Sequence, residues 1–181
     1  GHEILSCGEC HKNEKGSIRQ QVQSNWSHYL GGESGALYFG KLPVTSAECI
    51  ACHERDNDRH DIHRFNEPKY EVPRAKIHPE NCISCHAEHK GKRVTIKNTG
   101  FCINCHQELS IKNDPVNPSH EKIVALNQWE TCLQCHDYHG NHLVAPPNDI
   151  GDTISMNRIH DYFEGGKDPY SSKKKYKAVY K

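Results

Sequence analysis

Cys102-Ile103-Asn104-Cys105-His106 is one of five pentapeptides of the form Cys-x-x-Cys-His in this 181-residue chain; the others are 7–11, 49–53, 82–86 and 132–136. Together they use all ten cysteines, Cys7, Cys10, Cys49, Cys52, Cys82, Cys85, Cys102, Cys105, Cys132 and Cys135. Residues three apart on a helical turn share a face, so both thiols of a motif meet one edge of whatever they bind. Paired Cys-x-x-Cys also suits zinc or a redox disulfide, but neither needs a His directly after the second Cys. Only 15 of the 181 residues are His, too few for five such placements to arise by chance. The motif is an attachment signal for c-type haem, in which the thiols form thioethers with the vinyl groups and the next imidazole takes the iron. Five covalent haems are the expected cofactors, with His11, His53, His86, His106 and His136 as one axial ligand each.

Composition points the same way. Hydrophobic residues make up 34% of the chain, a figure that already counts the cysteines. Dividing 181 residues by five leaves about 36 per motif, too few for five separate domains. Side chains alone supply a marginal core, and porphyrin surface supplies the rest. The expected fold is therefore mostly irregular, with short α-helices and little strand, wrapped around five haems. Without haem the chain is expected to be unfolded. Lys plus Arg and Asp plus Glu balance at 23 each. Haem carries about −1 when oxidised, so the loaded protein is acidic and nucleic acid is not an expected partner. No apolar run reaches 18 residues, so no membrane span is expected. Gly1 reads as the terminus left after removal of an export signal.

Along the chain, 17–24 reads as a short polar helix and 25–47 as loop or hairpin, with Tyr29, Leu37, Tyr38 and Phe39 as packing residues. His60 and His63 are three apart, a spacing that puts both on one face of a helix. Gly91 is a helix stop after 87–90. His120 opens a helix that runs to Trp129. Residues 1–142 form the pentahaem domain, and 143–181 form a linker and a basic tail. Residues 167–181 hold six Lys and one Asp, a net +5. The motifs start 42, 33, 20 and 30 residues apart, an irregular array.

Ten histidines lie outside the motifs, twice what five second axial positions need. Met156 is the single methionine, so His/Met ligation is not the general scheme. The candidate distal ligands are His28, His63, His78, His89 and His120, followed by His60 and His139. His142 comes next, and His2 and His160, near the termini, suit a haem of a neighbouring molecule.

These residues resemble the class III cytochromes c and related small tri- and tetrahaem cytochromes: the five motifs, the His60-x-x-His63 pair, and His78 four residues before Cys82. The resemblance implies that His60 and His63 ligate two different haems and that His78 ligates the haem of Cys102 and Cys105. It also implies thioether attachment outside the cytoplasm, hence a periplasmic or extracellular protein. Irons with two histidines have no open site and carry electrons rather than activate substrates. The expected function is low-potential electron transfer through five closely spaced bis-histidine haems, serving redox partner proteins. The alternative is a protomer of a polymeric cytochrome filament, with the tail 171–177 held on a neighbour. An oxidoreductase with one five-coordinate haem is the third reading.

Overall fold

The computed structural model describes residues 2–12, 18–30, 42–55, 58–142 and 147–170. Eight α-helices lie among them: α1 (Cys7–Cys10), α2 (Ile18–Tyr29), α3 (Ser46–His53), α4 (Glu71–Ile77), α5 (Ile103–His106), α6 (His120–Ala125), α7 (Cys132–Cys135) and α8 (Met156–Phe163). Single 3-10 turns and irregular chain connect them. No strand is present among the described residues; Asn117 and Asp149 form an isolated parallel bridge. The architecture is mostly irregular with short helices. No described helix is long and apolar enough to cross a membrane.

All five Cys-x-x-Cys-His motifs sit on single helical turns. Motifs one, two, four and five lie on α1, α3, α5 and α7, and motif three begins a 3-10 turn, Cys82–Ser84. In motifs one, three and five the motif His N–H donates to the carbonyl of the first Cys, at 2.9, 3.0 and 2.8 Å. That i to i+4 bond closes one turn and carries both thiols on one side.

The chain divides into two compact units, 1–52 and 53–181, a division that falls within α3. In the first, Thr45 and Glu48 form a capping box at the start of α3. The Glu48 carboxylate accepts from the Thr45 N–H at 2.8 Å and its hydroxyl at 2.7 Å. α2 is longer than the sequence reading, which ended it near Ser24 and placed a loop from 25; it continues to Tyr29. Ile18, Val22, Trp26, Tyr29 and Leu30 recur at helical spacing and leave an apolar stripe 59–81% exposed. Tyr29, expected to pack, is thus open in the protein chain itself, and Leu37, Tyr38 and Phe39 lie outside the described residues.

In the second unit Leu133, Ile159 and Tyr170 form a small core, with Phe101, Ile154, Met156, Tyr162 and Phe163 against it. α8 presents Ile159, fully buried, to this core. It ends in a Schellman motif: Gly165 takes φ +99°, Gly166 N–H donates to Asp161 O at 2.8 Å, and Gly165 N–H to Tyr162 O at 3.1 Å. Residues 92–94 are strapped to that end. Arg93 and Val94 N–H donate to Phe163 O, and the Arg93 guanidinium lies 4.1 Å from the Tyr162 ring centre. The described part of the C-terminal segment, 147–170, packs around motif five: Tyr170 Oη donates to Leu133 O at 2.9 Å, and Gln134 Nε2 to Ile154 O at 2.6 Å. The tail 171–181 lies outside the described residues.

Gly91 closes a 3-10 turn, Glu88–Lys90, in the left-handed region at φ +65°. His60 and His63 do not share a helix face, because Asp61 interrupts it: its carboxylate caps a new 3-10 turn, Ile62–Asn66, by accepting from His63 N–H at 2.9 Å. α6 stops at Ala125, four residues short of Trp129, with Asn127 at φ +56°.

Candidate functional site

Three motif histidines each face a second histidine from a distant segment. The ring centres of His86 and His139, of His106 and His60, and of His136 and His120 are each 6.2 Å apart, with interplanar angles of 24°, 86° and 41°. Direct stacking brings rings closer, as with His60 on Tyr138 at 4.1 Å. Two imidazoles bound end-on to one metal sit farther apart. A metal–nitrogen bond of about 2.0 Å and about 1.1 Å from nitrogen to ring centre, set by C–N bonds of about 1.33 Å, put the two centres roughly 6.2 Å apart. The observed spacing is compatible with two axial ligands on one metal.

The outer nitrogens complete the pattern. His139 Nδ1–H donates to Asp58 Oδ2 at 2.9 Å, and His120 Nδ1–H to the Asp114 carboxylate at 2.9 Å. His86 Nδ1–H donates to Arg93 O at 2.8 Å, and His60 Nδ1–H to Tyr138 O. Each bond fixes the tautomer that leaves Nε2 as a lone pair, the arrangement metal-ligating histidines adopt. Burial pushes His60 below the usual imidazole value, and its bond to the Tyr138 carbonyl opposes that only in part. The neutral, ligating form is therefore favoured.

The acceptors are themselves held. Asp58 also accepts from His60 N–H at 2.9 Å and pairs with Arg55 at 3.4 Å. Its burial raises the carboxyl pKa, but these donors outweigh that and set it below the ordinary value. Asp114 accepts in addition from His120 N–H at 2.6 Å and Val116 N–H at 3.0 Å. Its desolvation is likewise outweighed, so it too titrates low.

Motifs four and five adjoin. The turn Thr99–Cys102 packs on the turn Trp129–Thr131, and a Cβ on Gly100 would come within 3.6 Å of Trp129 Cβ. Motifs three and four are joined through Tyr138, which stacks on His60, meets His139 edge-on at 5.0 Å, and touches Phe101 at 5.5 Å. Burial and surrounding negative charge push the Tyr138 hydroxyl up beyond its usual range.

The other predicted histidines lie elsewhere. His78 closes α4 at φ +45°, with Nδ1 3.2 Å from Glu80 Oε1. α4 packs beside α5, so His78 lies near motif four in the fold, yet the ring against His106 is that of His60. His63 and His89 are exposed on 3-10 turns. His28 lies on α2, with its side chain outside the described residues. His11 ends the first motif turn and His53 ends α3. His142 is 2% exposed and uses both nitrogens, Nδ1 on Asp137 at 2.6 Å and Nε2 on Asp168 at 2.9 Å. It is a structural bridge, with no lone pair left for a metal. Asp58, Asp114 and Tyr138 were not singled out by the sequence reading. An Asp two residues before a His, as at 58–60, was the available signal, since its side chain reaches that backbone N–H.

Haem fits this donor set. Among the described residues no cluster of three or more His, Cys, Asp or Glu side chains is placed to hold a bare metal ion. What they form is opposed pairs of imidazoles, which suit a metal already held in a ring. Trp129 Nε1 and Thr99 Oγ1 are buried without a hydrogen-bond partner beside motifs four and five, a place for acceptor oxygens such as haem propionates carry.

No protein-family model and no solved structure matches the chain. It is similar to the acrylate reductase cytochrome subunit of Shewanella woodyi, 33% identical over 61 residues, which is 32% of this chain and 47% of that protein. The match thus spans about half the length of that relative.

Proposed function

We propose that the chain is a multihaem c-type electron-transfer protein that holds five haems at its five motifs. The observation that carries this reading is the set of three histidine pairs at 6.2 Å. Cys82 and Cys85 hold the haem whose iron lies between His86 and His139. Cys102 and Cys105 serve the pair His106 and His60, and Cys132 and Cys135 serve His136 and His120. His11 and His53 provide one ligand each for motifs one and two. When bound, haem supplies a one-electron couple, which two histidines place at low potential. The chain's part is to fill both axial positions, exclude substrate from the iron, and set neighbouring attachment turns side by side. Tyr138 joins the ligand segments of motifs three and four, and the packed turns Thr99–Cys102 and Trp129–Thr131 join motifs four and five.

Similarity to a reductase's cytochrome subunit supports a role in handing electrons to a partner protein. Haem attachment by thioether supports a place outside the cytoplasm. Assembly into a filament rests on the tail 171–181, outside the described residues.

Five haems per chain by pyridine haemochrome assay, with low-spin electron paramagnetic resonance (EPR) signals throughout, are the expected result. H60A, H120A and H139A each convert one haem from low to high spin, while H142A converts none. Fewer than five haems, or three substitutions without a high-spin signal, would contradict the reading.

A further inference from the structure

The described distal histidines differ in what holds them from behind. His139 and His120 give Nδ1–H to the carboxylates of Asp58 and Asp114, whereas His60 gives it to the backbone carbonyl of Tyr138. We propose that this difference orders the potentials, with Asp58 and Asp114 holding the irons of motifs three and five below that of motif four. The inference rests on the ligand assignment above.

A carboxylate bonded to Nδ1–H draws the ring toward imidazolate and raises its basicity as a ligand. A more basic ligand favours ferric over ferrous iron, so the iron accepts its electron at lower potential. A neutral carbonyl oxygen does this less, since charge-assisted bonds are about twice as strong as neutral ones. Little of either side chain is itself open to solvent, 16% for Asp58 and 9% for Asp114.

The two aspartates are not equivalent. Asp114 takes two backbone N–H groups of its own loop as well as the ring, and those donors keep it in place whatever the ring does. Asp58 is shared: its Oδ2 holds His139, its Oδ1 holds His60 N–H, and Arg55 offsets part of its charge. One carboxylate thus positions ligand segments of two irons. Motif four adjoins motif three through Tyr138 and motif five through the packed turns Thr99–Cys102 and Trp129–Thr131. The iron of highest potential among the three then lies between the other two, where an electron entering from either side comes to rest.

The test uses the haem-loaded protein with D114N and D58N. Asn keeps an acceptor oxygen for the ring and removes the charge. Potentiometric titration followed by visible absorbance and EPR reads the outcome. The expected result is that each variant keeps every low-spin signal and one redox component moves positive. At a fixed applied potential the reduced-to-oxidised ratio of that component rises by about tenfold, a shift of about 59 mV for a one-electron couple. D58N also perturbs a second component weakly, through His60. Low-spin signals retained with no component moving, or with one moving negative, overturn the proposal. D114N decides alone if D58N does not fold. Low-spin haem retained in H120A and H139A refutes the ligand assignment instead, which keeps the two failures apart.

Discussion

His142 shows at the scale of one residue how the surroundings decide what a histidine does. His139, three residues earlier, has Nδ1 on the Asp58 carboxylate and its ring centre 6.2 Å from that of His86. His142 has a carboxylate on each nitrogen and stacks on Tyr170 at 4.9 Å. It joins Asp137, next to motif five, to Asp168 in the C-terminal segment. Replacing it by Ala leaves two carboxylates facing each other in a sheltered place, at a cost of about 3 kcal/mol. Thermal unfolding of H142A should shift down accordingly while the haem spectrum stays unchanged; an altered spin state would make His142 a ligand after all.

The ten thiols and five motif histidines are legible in the sequence because each motif is local, completed within one helical turn. The second ligands are a tertiary matter. His60, His120 and His139 lie far along the chain from their partners or across a turn from them. The sequence reading placed His63 and His78 ahead of His60 and His139, whereas the rings found facing motif histidines are those of His60, His120 and His139. The bonds that aim the rings, from Asp58, Asp114 and Tyr138, depend on how loops fold back.

The elements are short because the motifs dictate them: a helical turn of four or five residues suffices to present two thiols and a histidine. Such turns lack the length to be stable alone. They are held by caps, by the 92–95 strap, and by α8 under motif five. Ile159 of α8 is fully buried in that contact. I159A removes it and should cost about 2–4 kcal/mol, read as loss of thermal stability without loss of haem. The strap has no signature in the sequence. Its use of backbone N–H groups toward Phe163 and of the Arg93 ring contact has no periodic signal. α2 ran past its sequence estimate because its polar residues hid a stripe of Ile18, Val22, Trp26 and Tyr29 at helical spacing.

For the whole molecule, the prior expectation of too little side-chain core agrees with the buried set. Among the described residues the buried hydrophobics are Phe65, Ile123, Trp129, Leu133, Ile159 and Tyr170, while twelve large apolar side chains stay 37–81% exposed. Porphyrin faces are the apolar surface such side chains need. Chain produced without haem attachment should therefore show no cooperative thermal transition by circular dichroism; a native-like transition would contradict the dependence on haem. The exposed stripe of α2 should become protected from hydrogen exchange and solvent quenching of Trp26 on loading.

The central claim is that irons lie between His86 and His139, His106 and His60, and His136 and His120. An anomalous difference map collected at the iron edge from crystals of the loaded protein tests it most directly. The account predicts five iron peaks per chain, with one midway between the rings of each of those three pairs. An iron beside any of the three motif histidines with a different residue, or none, on its far side would contradict it.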